Sequence, residues 1–219
     1  MKVKLMDFNG IDSVGLYAYT ANKYLLLGRE VQEKYVKDLE KTLGVKSERL
    51  TIAGTSFINV FMVGEYDKIL VPSIIFSREK EILEGLGFKC KVVDTINTCL
   101  GNNILLGEEK ILASIDMEEE VLTEISKFFE KPVEKASLAN VNAVSSLVVQ
   151  NKNGVLASSE LSKEEVELIQ KALQKDVTTG TINMGSQYIK SGVICNDQGL
   201  IVGSTSGGPE ITNADEALK

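Results

Sequence analysis

Apolar and polar positions follow the same order five times along this chain. Each cycle has a strand-like apolar run, a short polar turn and a second apolar run. Apolar residues at three- and four-residue spacing then follow, which is the helical period. The turns are Asn22-Lys23-Tyr24-Leu25, Asp67-Lys68-Ile69-Leu70, Glu109-Lys110-Ile111-Leu112, Asn153-Gly154-Val155-Leu156 and Gln198-Gly199-Leu200-Ile201. The anchors Lys23, Lys68, Lys110, Gly154 and Gly199 are 45, 42, 44 and 45 residues apart. A fixed period of this length is the mark of a repeat or propeller architecture.

The first cycle predicts strands over Val14–Tyr19 and Tyr24–Leu27, then a helix carrying Val31, Tyr35, Val36, Leu39 and Leu43 and stopped by Gly44. The second predicts strands over Phe57–Val63 and Ile69–Val71, with Pro72 at the strand end and Ser77 capping a short helix closed by Gly85 and Gly87. In the third, Ile104–Leu106 and Ile111–Ala113 flank the turn. Asp116 is expected to cap a helix whose buried stripe is Val121, Leu122, Ile125, Phe128 and Phe129. The fourth has strand Ser146–Val149, the hairpin signal Asn153-Gly154 and the capping box Ser162–Glu165. The fifth has strands Ile189–Cys195 and Leu200–Val202, then a short, weakly apolar helix expected to fray. An extra strand is expected before three of the units, at Lys2–Leu5, Leu50–Ala53 and Lys91–Val93.

Five such units in an open row would leave two bare sheet edges, and closing them into a ring removes both. The expected fold is therefore a single α/β domain over 1–219, a five-bladed pseudo-five-fold propeller. Its repeats fall near 1–45, 46–90, 91–135, 136–178 and 179–219, with sheets around an axis and helices outside.

Counting back from the anchors gives equivalent positions near one end of that axis. They are Gly10, Thr55, Asn97, Val141 and Ser186, then Ile11, Ser56, Thr98, Asn142 and Gln187. Most are small or amide residues. They form either a polar rim that docks a partner or holds water, or plain interblade turns, which favour the same residues.

Charge narrows the partners. The net charge is -7, and Glu108–Glu134 alone holds nine acids against three lysines. Most of that excess is helix N-terminal chemistry and a solvated face. An acidic surface repels phosphate, so contact with a nucleoprotein is expected to run through its basic proteins, with little direct RNA contact.

The three cysteines have no metal spacing and suit a reducing compartment. The start Met1–Asp7 lacks the apolar core of a signal peptide, and no apolar run is long enough to span a membrane. A cytoplasmic protein without membrane contact is expected.

Catalytic options are few. The chain has no histidine, which removes Ser-His-Asp and Cys-His machinery. Cys99 and Cys195 lack a neighbouring group to activate them. Asp94 and Asp116 have no ligand-spaced companions, so neither metal nor cofactor is expected. Gly203–Glu210 lacks the lysine of a phosphate loop, and Pro209 opening a helix explains it.

The five-fold strand, hairpin and helix pattern resembles the pentein fold. Within it, Ile52-Ala53-Gly54-Thr55, Leu100-Gly101-Asn102, Thr181–Ser186 with Ser191-Gly192 and Asn196, and Gly203–Glu210 are similar to the translation initiation factor 6 family of archaea and eukaryotes. The resemblance runs along essentially the whole chain. It implies a factor that binds the large ribosomal subunit, chiefly at ribosomal protein uL14. Such a factor sterically blocks small-subunit joining and takes part in large-subunit maturation, as a monomer without a cofactor. Carried over, the family's docking end maps to Gly15, Thr55, Val60, Gly107 and Val193. Met184 stands where the family often has arginine, and Gly107 where eukaryotic members have asparagine.

Two other readings compete. A pentein enzyme acting on guanidine compounds would use a cysteine with a histidine, which this chain lacks. A general adaptor would share the ring but ignore large subunits.

Overall fold

The computed structural model describes residues 1–21 and 23–219; Asn22, the first residue of the first predicted turn, lies outside the described residues. The chain runs β1 (Lys2–Met6), a 3-10 turn (Val14–Tyr17), β2 (Ala18–Ala21), β3 (Tyr24–Gly28), α1 (Glu33–Leu43) and β4 (Lys46–Leu50). It continues through α2 (Ile58–Phe61), β5 (Val63–Glu65), β6 (Lys68–Pro72), α3 (Ser77–Gly85) and β7 (Lys89–Val93). Next come α4 (Leu100–Asn103), β8 (Ile104–Leu106), β9 (Ile111–Ser114), α5 (Glu119–Phe129) and β10 (Val133–Ala136). A second 3-10 turn (Val144–Leu147) leads to β11 (Val148–Gln150), β12 (Val155–Ser158), α6 (Lys163–Leu173) and β13 (Val177–Gly180). The chain finishes with α7 (Ile189–Gly192), β14 (Val193–Cys195), β15 (Gly199–Gly203) and α8 (Gly208–Leu218).

The strands form five three-stranded sheets. In each, the hairpin pairs antiparallel and a third strand lies parallel to the second hairpin strand; in the first four it follows a helical crossover. A crossover is the only short way to join parallel neighbours, which is why each helix sits between them. The extra strand therefore follows its helix and completes the sheet already begun. A cut at residue 45 would leave β4 outside the sheet it finishes. In the fifth sheet the third strand is β1, paired parallel to β15 from Lys2↔Gly199 to Met6↔Gly203. The N-terminal strand thus closes the ring.

Several local expectations are corrected. The predicted first strands begin with one turn of helix: Val14–Tyr17, Ile58–Phe61, Val144–Leu147 and Ile189–Gly192 are helical, and pairing starts only at Ala18, Val63, Val148 and Val193. The second extra strand is Lys46–Leu50, ending where Leu50–Ala53 was expected to begin. Phe76 rather than Ser77 precedes α3, and Glu118 rather than Asp116 precedes α5. The last helix is not short: α8 has 11 residues, as do α1, α5 and α6. Ala214, Ala217 and Leu218 are buried, and the Leu218 carbonyl accepts from Asn151 Nδ2 at 2.6 Å. The Ser162–Glu165 box forms as expected, with reciprocal bonds of 3.2 and 2.7 Å.

The core is divided among the blades. Each outer helix buries its stripe partly on its own sheet and partly on the preceding one. Leu39 and Leu43 of α1, for example, pack with Ile201 of β15 and Met6 of β1. Ile125 and Phe129 of α5 pack with Val63 of β5 and Leu70 of β6. No blade can bury its apolar face without a neighbour.

Candidate docking face and axial cavity

Five one-turn helices, one per blade, meet around the axis, each touching the next. Their first residues, Val14, Ile58, Leu100, Val144 and Ile189, are fully buried and anchor them in the core. Their second residues are Gly15, Asn59, Gly101, Ser145 and Lys190. Close packing decides two of these. A Cβ at Gly15 would strike the Lys190 carbonyl, and one at Gly101 would strike the Asn59 carbonyl. The third residues Leu16, Val60, Asn102 and Ser191 are half-exposed.

Above this ring the first strands of the five sheets enclose an axial cavity of about 420 Å³, open at the hairpin end. Its floor includes Asn59, Ser145 and Lys190. Lys190 Nζ crosses the axis and donates to the Gly101 carbonyl and, at 3.2 Å, to Ser145 Oγ. Burial lowers its pKa to about 7, because the charged ammonium has lost most of its water. Asn59 Nδ2 donates to the Gly15 carbonyl at 2.9 Å, while buried Asn59 Oδ1 has no partner. Hydrogen bonds tie the strands around the wall: Tyr19 Oη to the Gly64 carbonyl, Thr20 Oγ1 to the Cys195 carbonyl, and Gln150 Nε2 to the Leu106 carbonyl.

Cys195 also lines the cavity. Burial, with the Asp197 charge adding to it, pushes its thiol up to about 12. It is a protonated thiol at neutral pH, unsuited to nucleophilic attack. Cys90 is pushed up to about 11, again mainly by burial. Among the described residues no group of three or more His, Cys, Asp or Glu is placed to hold a metal ion, and no helix is long and apolar enough to cross a membrane.

The opposite end of the axis is built from turns that follow the second and third strands of each sheet. Four of these turns carry isolated bridges: Phe8↔Ile11, Ile52↔Thr55, Leu138↔Val141 and Ile182↔Ser186. Ile11, not Gly10, is thus the equivalent of Thr55; the first repeat is one residue out of the expected register. Most of the sequence-derived rim works inside these turns. Gly10 N donates to Asp7 Oδ1, and buried Ser56 Oγ accepts from Glu30 N. Asn97 Nδ2 reaches the Asp116 carbonyl and Asn142 Nδ2 reaches Asp116 Oδ2. Thr98 and Gln187 carbonyls accept from Leu100 N and Ile189 N, and Ser186 Oγ accepts from Tyr188 N.

This end also gathers most of the exposed large apolar side chains, set among exposed polar residues such as Asn9, Asp94 and Asn140. Of 11 exposed large hydrophobic side chains among the described residues, eight sit in these turns: Ile11, Phe57, Ile74, Phe76, Ile96, Ile115, Met184 and Tyr188. Ile96 is 88% exposed and Met184 81%. Their gathering at one end makes that end the candidate interaction surface. Sequence reasoning missed it by searching equivalent positions for polar residues.

The five carried-over positions do not make one surface. Thr55 is half-buried in the turn end and Val60 half-buried in α2. Gly15 is buried in the ring. Val193 and Gly107 line the axial cavity, Gly107 at the hairpin end.

A closed ring of five small mixed sheets with helices outside is a pentein-type α/β-propeller. Solved structures with the same arrangement include dimethylarginine dimethylaminohydrolase as an adduct with S-methyl-L-thiocitrulline, with TM-score 0.55 and 15% identity, covering 77% of this chain and 69% of that one. The substrate-bound N-terminal domain of ArgZ, a cyanobacterial arginine dihydrolase, gives TM-score 0.57 at 10% identity over 85% of this chain and 76% of its own. At these identities the likeness is one of fold alone.

Sequence comparison is more specific. Residues 3–217 match the eIF-6 family, and the chain belongs to that family. Translation initiation factor 6 of Saccharolobus islandicus is 29% identical over 224 residues, covering 100% of this chain and 99% of the relative. That of Pyrococcus horikoshii is also 29% identical with the same coverage, and that of Pyrobaculum arsenaticum is 28% identical over 95% of each.

Proposed function

We propose that this chain binds the large ribosomal subunit through its turn end, chiefly at ribosomal protein uL14. By occupying that surface it sterically excludes the small subunit, and it serves in maturation of the large one. The observation that carries this reading is the apolar collar of eight side chains on one face. A collar of this kind on a protein of net charge -7 suits a basic protein partner with apolar contacts, and is ill suited to bare RNA. Family membership supplies the ribosomal context. The action is binding by a cytoplasmic monomer, without turnover. A guanidine-modifying activity is disfavoured by the absence of histidine and by the protonated Cys195.

Sucrose-gradient co-sedimentation tests this. The protein should travel with free large subunits and be absent from joined ribosomes. Only a modest loss is expected when salt is raised, because few phosphates are touched. Failure to bind large subunits overturns the reading, as does turnover of arginine or agmatine by the purified protein.

A further inference from the structure

The chain is acidic overall, but one sector of its outer surface is not. β1 and α1, which pack together, carry Lys2, Lys4, Lys34, Lys37 and Lys41 against Glu33, Asp38 and Glu40. We propose that this sector is a phosphate-contacting flank of the docking face, lying against the RNA backbone of the large subunit. The inference rests on the large-subunit reading above and names one partner surface within it.

Two of the three carboxylates are spent elsewhere. Glu33 Oε2 accepts from Arg49 Nη1 at 3.1 Å, and Glu40 Oε1 accepts from Ser47 N and Oγ at 2.8 and 2.9 Å. Both partners belong to β4, in the sheet of the first blade, whereas β1 belongs to the fifth.

The lysines gather on the β1 side. Lys2 and Lys4 are two residues apart in the strand and so share one of its faces. That face meets α1: Lys2 Nζ donates to the Lys41 carbonyl at 3.3 Å, and Lys4 Nζ pairs with Asp38. The Lys4 hydrogen bond, helped by the charges of Lys4, Lys41 and Lys37, holds the Asp38 carboxyl below its ordinary value, so three ammonium groups stand around one carboxylate. Lys34, Lys37 and Lys41 follow helical spacing along one side of α1, and all three are exposed. Among the described residues Lys2, Lys34, Lys37 and Lys41 form no ion pair.

This patch is continuous with the docking face. Lys34 Nζ donates to Asn9 Oδ1 at 3.0 Å, and Asn9 is exposed in the turn bridged by Phe8 and Ile11. From there the ridge runs about 10 Å along α1 to Lys41. One strand of a nucleic-acid duplex carries a charge about every 3.4 Å of its axis, so about three phosphates match the ridge. The five-fold repeat supplies an internal comparison. α8 packs on β13 as α1 packs on β1, yet those two elements carry Glu210, Asp215 and Glu216 and no lysine. The architecture itself therefore does not require lysines here.

Chemistry narrows the partner. Lysine is depleted at protein–protein contacts, whose centres are aromatic and apolar. A membrane-binding helix needs apolar residues to insert, but Tyr35 and Val36 of α1 pack against the core. Val3 and Leu5, exposed on β1, alternate with its lysines and so lie on the other face of the strand. Exposed lysines without apolar neighbours suit phosphate oxygens.

The test compares the full chain with two triple variants. One carries Lys34→Gln, Lys37→Gln and Lys41→Gln; the other carries Lys127→Gln, Lys163→Gln and Lys171→Gln, losing the same charge from α5 and α6. All six side chains are exposed, so both variants should unfold at the parental midpoint. Co-sedimentation with large subunits is measured across a salt series. The slope of log affinity against log salt should become shallower by about two in the first variant and stay parental in the second. Ultraviolet cross-linking of the bound parent should join a peptide holding residues 34–41 to RNA. Equal slopes for parent and first variant overturn the flank, as does a segment that cross-links to protein alone or not at all. Pelleting with anionic lipid vesicles that the first variant loses would assign the patch to a membrane instead. A parent that ignores large subunits ends both readings, whereas a binding parent with an unaltered slope in the first variant ends this one alone.

Discussion

The Glu79 carboxylate of one blade accepts the backbone amide of Gly54, at 2.9 Å, from the turn that leaves the preceding blade. It also accepts from Ala53 N, Phe76 N and Thr51 Oγ1. Glu210 repeats the arrangement with Gly185 N, Met184 N, Gly207 N and Thr181 Oγ1, and Glu165 holds Ala139 N. Tyr35 Oη takes the same place for Asn9 N, and Glu118 for Ile96 N. Each outer helix thus clamps the turn of its neighbour. Glu79→Ala should cost about 3 kcal/mol in urea unfolding, because several bonds to a buried charge are lost together. A loss below about 1 kcal/mol would show the clamp to be dispensable.

These carboxylates also set the acid limit. Burial alone would raise Glu79 and Glu210, but the donated hydrogen bonds outweigh it and hold both below their ordinary 4.5. The Thr95 hydroxyl lowers Glu118 in the same direction. At pH below about 4.5 the unfolded chain takes up protons that the folded carboxyls refuse, so stability is complete above that pH and falls as pH drops through the folded values. Glu79→Gln should flatten the acid limb of stability against pH; an unchanged limb counts against the assignment.

Lys190 is lowered too, but by loss of hydration and not by hydrogen bonds, so its charged form destabilises the fold. The folded amine releases its proton at about 7 and the unfolded one at 10.5. Between these the unfolded chain binds more protons, so stability rises with pH, with a slope approaching about 1.4 kcal/mol per unit. In chloride buffer Lys190→Met should erase that rise and gain stability below pH 7. Parallel curves for parent and variant would place an ordinary, solvated ammonium at this position.

The apolar collar is open to direct substitution. Ile96→Asp and Met184→Asp alter highly exposed side chains and should leave the unfolding midpoint nearly unchanged while weakening co-sedimentation with large subunits. Tyr66→Asp, 80% exposed at the hairpin end, should leave binding intact. If Tyr66 proves the sensitive position, the docking face is the other one.

Gly15 illustrates a different use of substitution. Its position in the ring makes it unsuitable as a surface probe, since any Cβ meets backbone of the adjacent blade. Gly15→Ala and Gly101→Ala should each lower stability by about 1–3 kcal/mol, and any loss of subunit binding should follow unfolding. A Gly15→Ala protein of parental stability that fails to bind would return Gly15 to the contact set.

Much of the fold was legible because the hairpin turns and amphipathic helices recur at a nearly constant spacing. The one-turn helices were not. Runs such as Phe57–Val63 are continuously apolar, and such runs carry no period that separates strand from helix. In the structure Ile58 and Met62 are both fully buried, four residues apart, the helical spacing hidden inside the run. The collar was hidden for a related reason. Ile11, Ile96 and Met184 come from turns far apart in sequence, and each alone reads as a core residue. Lys190 becomes conspicuous only once the five helices are aligned and the other second positions prove short.

The pairing of β1 with β15 has a consequence for synthesis. Residues 2–6 pair with residues 199–203, so their strand has no partner until the whole stretch between them has been made. A nascent chain must hold that strand unpaired while the four other sheets are made. The wheel then shuts in one late step, and only a chain that has taken it presents all five blades around one axis.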